Sequence, residues 1–273
     1  MKEFHLHLVS DSTGDTVYAV AKACLVQFED ASAIEHSWML VRSQSQLDRV
    51  LRAIRIHPGP VLYTLVDDEL RTGLIEGCRQ LQVVSIPVLD PVINAIGGYL
   101  GLPSRGLPGQ QHLLDAGYFH RVDAMSYALA HDDGQSAGGL NEADVILVGV
   151  SRTSKTPTCL YLGNRGVKAA NVPIVPGVPL PAELLAATSP LIVGLTNDPD
   201  RLVQLRHSRL TMLQAGDGHS SYTDLEEVQA EVRAARRLFS ERGWPVIDIT
   251  RRSIEETAAT ILQMLAQRRG EDA

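Results

Sequence analysis

Apolar residues recur along this chain in short strand-like runs that alternate with helical stripes. Phe4 to Val9 alternates apolar positions with histidines and predicts a strand. The small polar turn Ser10-Asp11-Ser12-Thr13-Gly14-Asp15-Thr16 follows, and a helical pattern then runs from Val17 to Phe28. Further strands are predicted at Ile34 to Val41, Val61 to Val66 and Val83 to Val88, with helices at Ser45 to Ile56 and Asp68 to Leu81 between them. Such alternation predicts a parallel α/β sheet. From Gly97 to Gly109 glycine and proline puncture the chain repeatedly, which predicts an ordered loop or hinge rather than a helix. A helix from Phe119 to His131 ends at Asp132-Asp133-Gly134, and the small-residue run Gln135 to Gly139 places a domain boundary near Gly138.

The second half restarts the pattern. An apolar run, Val145-Ile146-Leu147-Val148, stops at Gly149. A helix from Thr156 to Gly163, a strand from Ala170 to Val175 and a proline-rich loop from Pro176 to Pro181 come next. A strand at Leu191 to Leu195, an arginine-rich helix from Pro199 to Leu213 and a long helix from Asp224 to Glu241 follow. Strand Val246 to Ile249 precedes a helix opened at Ser253, whose spacing to Glu256 is that of a capping box. No repeat of regular period is visible. The expected fold is therefore α/β, with an N-terminal α/β domain over 1–138 and a C-terminal P-loop kinase-like α/β domain over 139–273.

Composition narrows the function. A chain of 273 residues, 44% hydrophobic, can bury one large core or two modest ones. Its formal charge of −7 offers no general attraction to nucleic acid. Cys24, Cys78 and Cys159 lie far apart, so neither a zinc site nor a disulfide framework is indicated. No segment approaches the roughly 20 apolar residues of a membrane span. A reduced, cytoplasmic setting is the expectation.

The candidate chemistry centres on Gly149-Val150-Ser151-Arg152-Thr153-Ser154-Lys155-Thr156, a strand-to-helix turn with the glycine-to-lysine spacing of a phosphate-binding P-loop. Converging backbone N–H groups and a helix N-terminus suit phosphate oxygens there. Lys155 would add a mobile charge, and the Thr156 hydroxyl a magnesium ligand. Ser154 stands where the standard pattern has its second glycine, so either the backbone turns differently or the serine side chain faces the phosphate. Asp132 and Asp133 offer a general base or metal ligands, against the plainer reading of a solvated helix end. Ser10, Asp11, Ser12, Thr13 and Gly14 lie where a strand end meets a helix N-terminus and suit a phosphate, or equally an ordinary helix cap. Arg206 and Arg209 offer a lid over phosphates, or simply a solvated helix face. The histidines, His5, His7, His112, His120, His131, His207 and His219 among them, show no metal-ligand spacing, so strand or surface roles are expected. Leu225, Val228, Val232 and Leu238 form a stripe that reads as core.

The block from Gly149 to Pro173, the Ser10 to Thr16 turn and Ala128 to Gly134 together resemble a known family. Gly194-Leu195-Thr196 with Pro199 and Arg201-Leu202, and Ser253-Ile254-Glu255-Glu256-Thr257, extend the likeness over nearly the whole chain. The family is that of the bifunctional regulatory proteins of pyruvate, phosphate dikinase, with a sister group acting on phosphoenolpyruvate synthase; Ser154 resembles the dikinase group. The resemblance implies an ADP-dependent kinase acting on an active-site threonine of the dikinase, and a phosphate-dependent phosphorylase that removes the group as pyrophosphate. It implies ADP and inorganic phosphate as co-substrates, Mg2+, the nucleotide role for Gly149 to Thr156, and a homodimer. Two alternatives from the residues stay open: an ATP-dependent small-molecule kinase and a nucleotide-sensing module without catalysis.

Overall fold

The computed structural model describes residues 2–110, 116–135, 137–212 and 222–270. His112, His219 and Leu213 lie outside them. The chain divides into two compact units, 1–113 and 114–273.

The first unit runs β1 (Lys2–Ser10), α1 (Asp15–Leu25), β2 (Ala31–Trp38), α2 (Gln44–Ile56), β3 (Val61–Thr64), α3 (Asp68–Gln80), β4 (Ser85–Pro87) and α4 (Asp90–Leu100). Its strands are parallel, in the order β2-β1-β3-β4. The period of two sends Leu6 and Leu8 to one face, against Val17 and Ala21 of α1. Val9, Val61 and Tyr63 face the other way, onto Leu47, Val50 and Ile54 of α2 and Leu70 and Leu74 of α3. Ser43 and Asp67 cap these two helices through their side chains.

Two expectations need correction here. Strand β2 lies three residues before its predicted place, because Leu40 takes a left-handed backbone (φ 55°) that ends the extended run. Helix α4 continues through Gly97 and Gly98 to Leu100, where a loop was expected. A proline in its first turn starts it, and Gly101, left-handed at φ 67°, stops it. The strand histidines also gather: His5 Nδ1 lies 3.0 Å from His36 Nε2, and the rings of His36 and His57 stack at 5.2 Å. Buried His7 meets Trp38 Nε1 at 3.2 Å and the His57 carbonyl at 2.8 Å, and burial lowers its pKa.

The second unit runs α5 (Ala116–Ala130), a 3-10 turn (Ala137–Glu142), β5 (Val145–Gly149), α6 (Lys155–Asn164), β6 (Ala169–Pro173), α7 (Ala182–Ala186), β7 (Leu191–Thr196), α8 (Pro199–Met212), α9 (Leu225–Arg242), β8 (Val246–Asp248) and α10 (Ile254–Arg269). The strands are again parallel, in the order β6-β5-β7-β8. Ile146 and Val148 pack on Val228, Val232 and Phe239 of α9. Val145 and Leu147 pack on Cys159 and Leu162 of α6 and on Ile261 and Leu265 of α10. Of the α9 stripe, Val228 and Val232 are core while Leu225 is exposed. The capping box of Ser253 and Glu256 forms as its spacing predicts. Helix α5 lies before the boundary expected near Gly138, yet it packs on α6 and puts Tyr127 and Ala128 into the second unit's core. Gly163 allows that approach, since a Cβ there would stand 3.1 Å from the Met125 Cα.

In both units the first strand has the second on one side and the third on the other. The connections that leave the first and third strands therefore run in opposite directions, opening a crevice beyond the carboxyl ends of β1 and β3, and of β5 and β7. Open parallel sheets receive ligands at such switch points. Among the described residues no helix is long and apolar enough to cross a membrane.

Candidate functional site

The five residues of β5 are fully buried and deliver the chain to a tight turn at Gly149. A Cβ there would stand 2.6 Å from the Leu195 carbonyl oxygen and 2.8 Å from Thr153 Oγ1, so only glycine lets β7 approach. Arg152 (φ 70°) and Ser154 (φ 53°) both take left-handed backbone. Ser154 thus holds a conformation that glycine would adopt without strain, at a cost of about 1–2 kcal/mol. Ser154 is the N-cap of α6 without a side-chain capping bond. Thr158 N–H is bonded to the Ser154 carbonyl at 3.1 Å, and the N–H groups before it have no partner within the helix.

Lys155 is not the mobile, solvent-reaching residue expected from the sequence. It is 6% exposed, and its Nζ donates to the Val150 carbonyl at 2.9 Å. The Thr153 hydroxyl donates to the same oxygen, also at 2.9 Å. Burial pulls the Lys155 pKa down to about 8, against the pull of Asp133, Cys159 and Asp132, which raise it; Arg152 lowers it further.

Thr156 Oγ1 donates to Asp132 Oδ1 at 2.8 Å. Asn171 of β6 closes the cluster, with Nδ2 at 2.5 Å from the same carboxylate oxygen, 3.0 Å from Thr156 Oγ1 and 3.3 Å from Asp133 Oδ1. Asn171 Oδ1 is buried without a partner among the described residues. The two acids are thereby distinguished. Asp132 is tied to Thr156, while Asp133, left-handed at φ 49°, lines a cleft of ≈ 510 Å³ with Arg152, Ser154, Lys155 and Thr156. A hydroxyl beside one carboxylate, opening on a cleft sized for phosphates, fits Mg2+, which takes one or two carboxylates and fills its octahedron with phosphate oxygens and water. Among the described residues no three His, Cys, Asp or Glu side chains are grouped to hold a metal by themselves.

The two arginines offered for a lid or for a solvated helix face part company. Arg209 is exposed, but Arg206 is 0% exposed and pairs with both carboxylate oxygens of Glu231 on α9, at 2.7 and 3.2 Å. It also donates to the Tyr222 carbonyl at 2.9 Å and lies over the Tyr222 ring at 4.6 Å. A bidentate ion pair with its guanidinium fully buried fixes that side chain in place, so Arg206 is a buried anchor rather than a mobile finger. Tyr222 OH meets Ser151 Oγ at 3.0 Å, which connects this anchor to the loop.

In the first unit, Ser10, Asp11, Ser12 and Gly14 line a cavity of ≈ 290 Å³ at the N-terminus of α1. Asp11 is buried there, and burial raises its pKa against amide bonds from Val66, at 2.6 Å, and Asp67. Its carboxylate ties two loops together. Ser10 Oγ likewise accepts from Ser12 N–H (3.1 Å) and from the Thr64 hydroxyl (2.9 Å). Thr13 turns its hydroxyl to Asp15 at 2.8 Å.

Sequence reasoning missed Asn171, Glu231 and Tyr222. Asn171 carried a signal, as the lone polar side chain in the buried strand Ala169–Pro173. Glu231 is one acid among several on α9 and carried none.

Over residues 6–262 the chain matches the kinase/pyrophosphorylase family. A protein of Paramagnetospirillum magneticum named "Putative pyruvate, phosphate dikinase regulatory protein" is 54% identical over 264 residues, covering 97% of this chain and 85% of its own length. Proteins of the same name from Rhodospirillum rubrum and Caulobacter vibrioides are 52% and 55% identical. They cover 97% and 98% of this chain, and 96% and 84% of their own lengths.

Two outcomes follow from the loop. Ser154→Gly relieves the left-handed strain but adds freedom to the unfolded chain, so urea unfolding should show stability unchanged or raised by up to about 1 kcal/mol. A loss larger than that would mean the serine side chain supports the turn. For Lys155, the unfolded chain holds its proton to about pH 10.5 and the folded one only to about 8, so between these values the unfolded state binds more protons and folding gains stability as pH rises. Lys155→Met removes the effect. In ligand-free protein its stability relative to wild type should fall by on the order of 3 kcal/mol from pH 8 to 10.5; a constant difference would contradict the burial of a titrating lysine.

Proposed function

The chain belongs to the kinase/pyrophosphorylase family, and from that premise we propose that it phosphorylates an active-site threonine of pyruvate, phosphate dikinase with ADP and removes the group with inorganic phosphate. The observation that carries this reading is the cluster at the start of α6. There a buried lysine, a helix N-terminus, a threonine–carboxylate pair and a second carboxylate converge on one cleft. Phosphoryl transfer asks mainly for positioning and charge stabilisation, and these residues supply both.

In the kinase direction the loop amides and Lys155 hold the β-phosphate of ADP. Thr156 and Asp132 would hold Mg2+, which would supply charge neutralisation to the phosphate oxygens. The threonine oxygen attacks the β-phosphorus, the bond from that phosphorus to the bridging oxygen breaks, AMP leaves, and Asp133 accepts the hydroxyl proton. In the opposite direction an oxygen of inorganic phosphate attacks the phosphothreonine, the phosphorus–oxygen bond to threonine breaks, and pyrophosphate leaves as the threonine oxygen regains a proton. The Ser10–Gly14 turn offers a second oxyanion seat, for inorganic phosphate or for the phosphothreonine. The names of the relatives favour the dikinase over phosphoenolpyruvate synthase as partner. The chemistry and the reduced-thiol composition suit a cytoplasmic enzyme, and the family likeness a homodimer.

The test is mass spectrometry of purified dikinase incubated with the protein, phosphoenolpyruvate and either ADP or ADP-free ATP. A new phosphothreonine with ADP alone is expected, with Asp133→Asn reducing its rate by roughly 10²–10⁴-fold. Modification of phosphoenolpyruvate synthase instead would reassign the partner. Turnover with ATP, or no modification of either protein, would overturn the reading.

A further inference from the structure

Beyond the loop, a second cleft of ≈ 440 Å³ opens past the carboxyl ends of β7 and β8, lined by Asp198, Arg236, Asp248, Thr250, Arg251 and Arg252. It shares a sheet edge with the loop. Strand β8 is two places from β5 in the sheet, so the two sites stand roughly 10 Å apart along that edge. That is about the span from the terminal phosphorus of a nucleoside diphosphate to its base.

The chemistry of the cleft is that of a nucleoside seat. Asp248 is fixed by Arg236, at 3.2 Å, and by the Thr250 amide and hydroxyl, at 3.0 and 2.5 Å. Arg236 is held in turn by Thr196 Oγ1 at 3.1 Å, so a neutralised pair forms one wall. Arg252 is anchored to Thr260 Oγ1 at 3.0 Å, and Arg251 is exposed beside it. Planar guanidinium groups stack on aromatic rings, and fixed carboxylates accept hydrogens from ribose hydroxyls and ring amines. Arg236 and Asp248 offset each other and Asp198 offsets one of the two remaining arginines, so the cleft keeps a single unbalanced cation beside its hydrogen-bond acceptors. An apolar hollow lined by Val150, Ile174 and Ala234 has no planar cation to stack on a base.

The geometry points to a nucleotide laid along the sheet edge, with its diphosphate in the Gly149–Thr156 loop and its purine nucleoside in the Arg251–Arg252 cleft. This assignment rests on the reading of the loop as the diphosphate site.

The experiment is calorimetric titration of the full chain with ADP and, separately, with pyrophosphate, both with Mg2+. Arg251→Ala/Arg252→Ala should weaken ADP about 10-fold and leave pyrophosphate within about twofold. The corresponding double lysine variant, which keeps the charge and loses the planes, should fall with it. Unchanged ADP affinity would move the base elsewhere. A parallel loss of pyrophosphate affinity, or full rescue by lysine, would make the cleft a charge site for phosphate; each of these results overturns the assignment. Lys155→Met separates the premise from the inference: it should weaken both ligands together. If it weakens neither, or if the wild-type chain binds neither, the loop reading itself has failed.

Discussion

The Val150 carbonyl oxygen accepts two donors from its own loop, the hydroxyl of Thr153 and the ammonium of Lys155. With that oxygen held inward, the turn around it is closed by side chains rather than by a second glycine. Gly149 makes the closure possible, because the adjacent β7 carbonyl leaves no room for a Cβ. The left-handed Ser154 then aims the start of α6, and with it the unpaired helix N–H groups, at the cleft. The same closure desolvates Lys155, which lowers its pKa and leaves its ammonium in surroundings where a charge interacts more strongly than it would in water.

The two sheets share a strand order and place a turn at the same switch point, yet they build those turns differently. The first unit uses a glycine, Gly14 at φ 86°, and satisfies its buried acid Asp11 with amides of the neighbouring loop. The second puts serine and arginine in left-handed backbone and collects its polar groups from three elements: Thr156 from α6, Asn171 from β6 and Asp132 from the segment after α5. Strain of that kind persists only where surrounding contacts over-determine it, and here the buried Arg206–Glu231 pair and Tyr222 supply them.

Much of this was legible in the chain. Apolar runs of strand length alternating with helical stripes gave the α/β class and nearly every element, and the spacing from Gly149 to Lys155 located the loop. Most of the errors concerned something decided by tertiary contact, whereas the ends of β2 and α4 are set locally. Lys155 looks solvent-reaching in sequence because nothing local says that its carbonyl partner lies five residues back. Arg206 looks like a lid residue because its partner Glu231 is on another helix. Helix α4 survives two glycines because a proline and Gly101 define its ends. Helix α5 joins the second unit through Gly163, whose missing side chain reads in sequence as a plain helix ending.

The most direct measurement is a crystal structure of the protein with ADP and Mg2+. The account predicts the β-phosphate on the amides between Thr153 and Thr156 and on Lys155 Nζ, with the metal ion on Thr156 Oγ1 and the Asp132 carboxylate. A diphosphate bound away from the loop, with Lys155 still buried on the Val150 carbonyl, would contradict it.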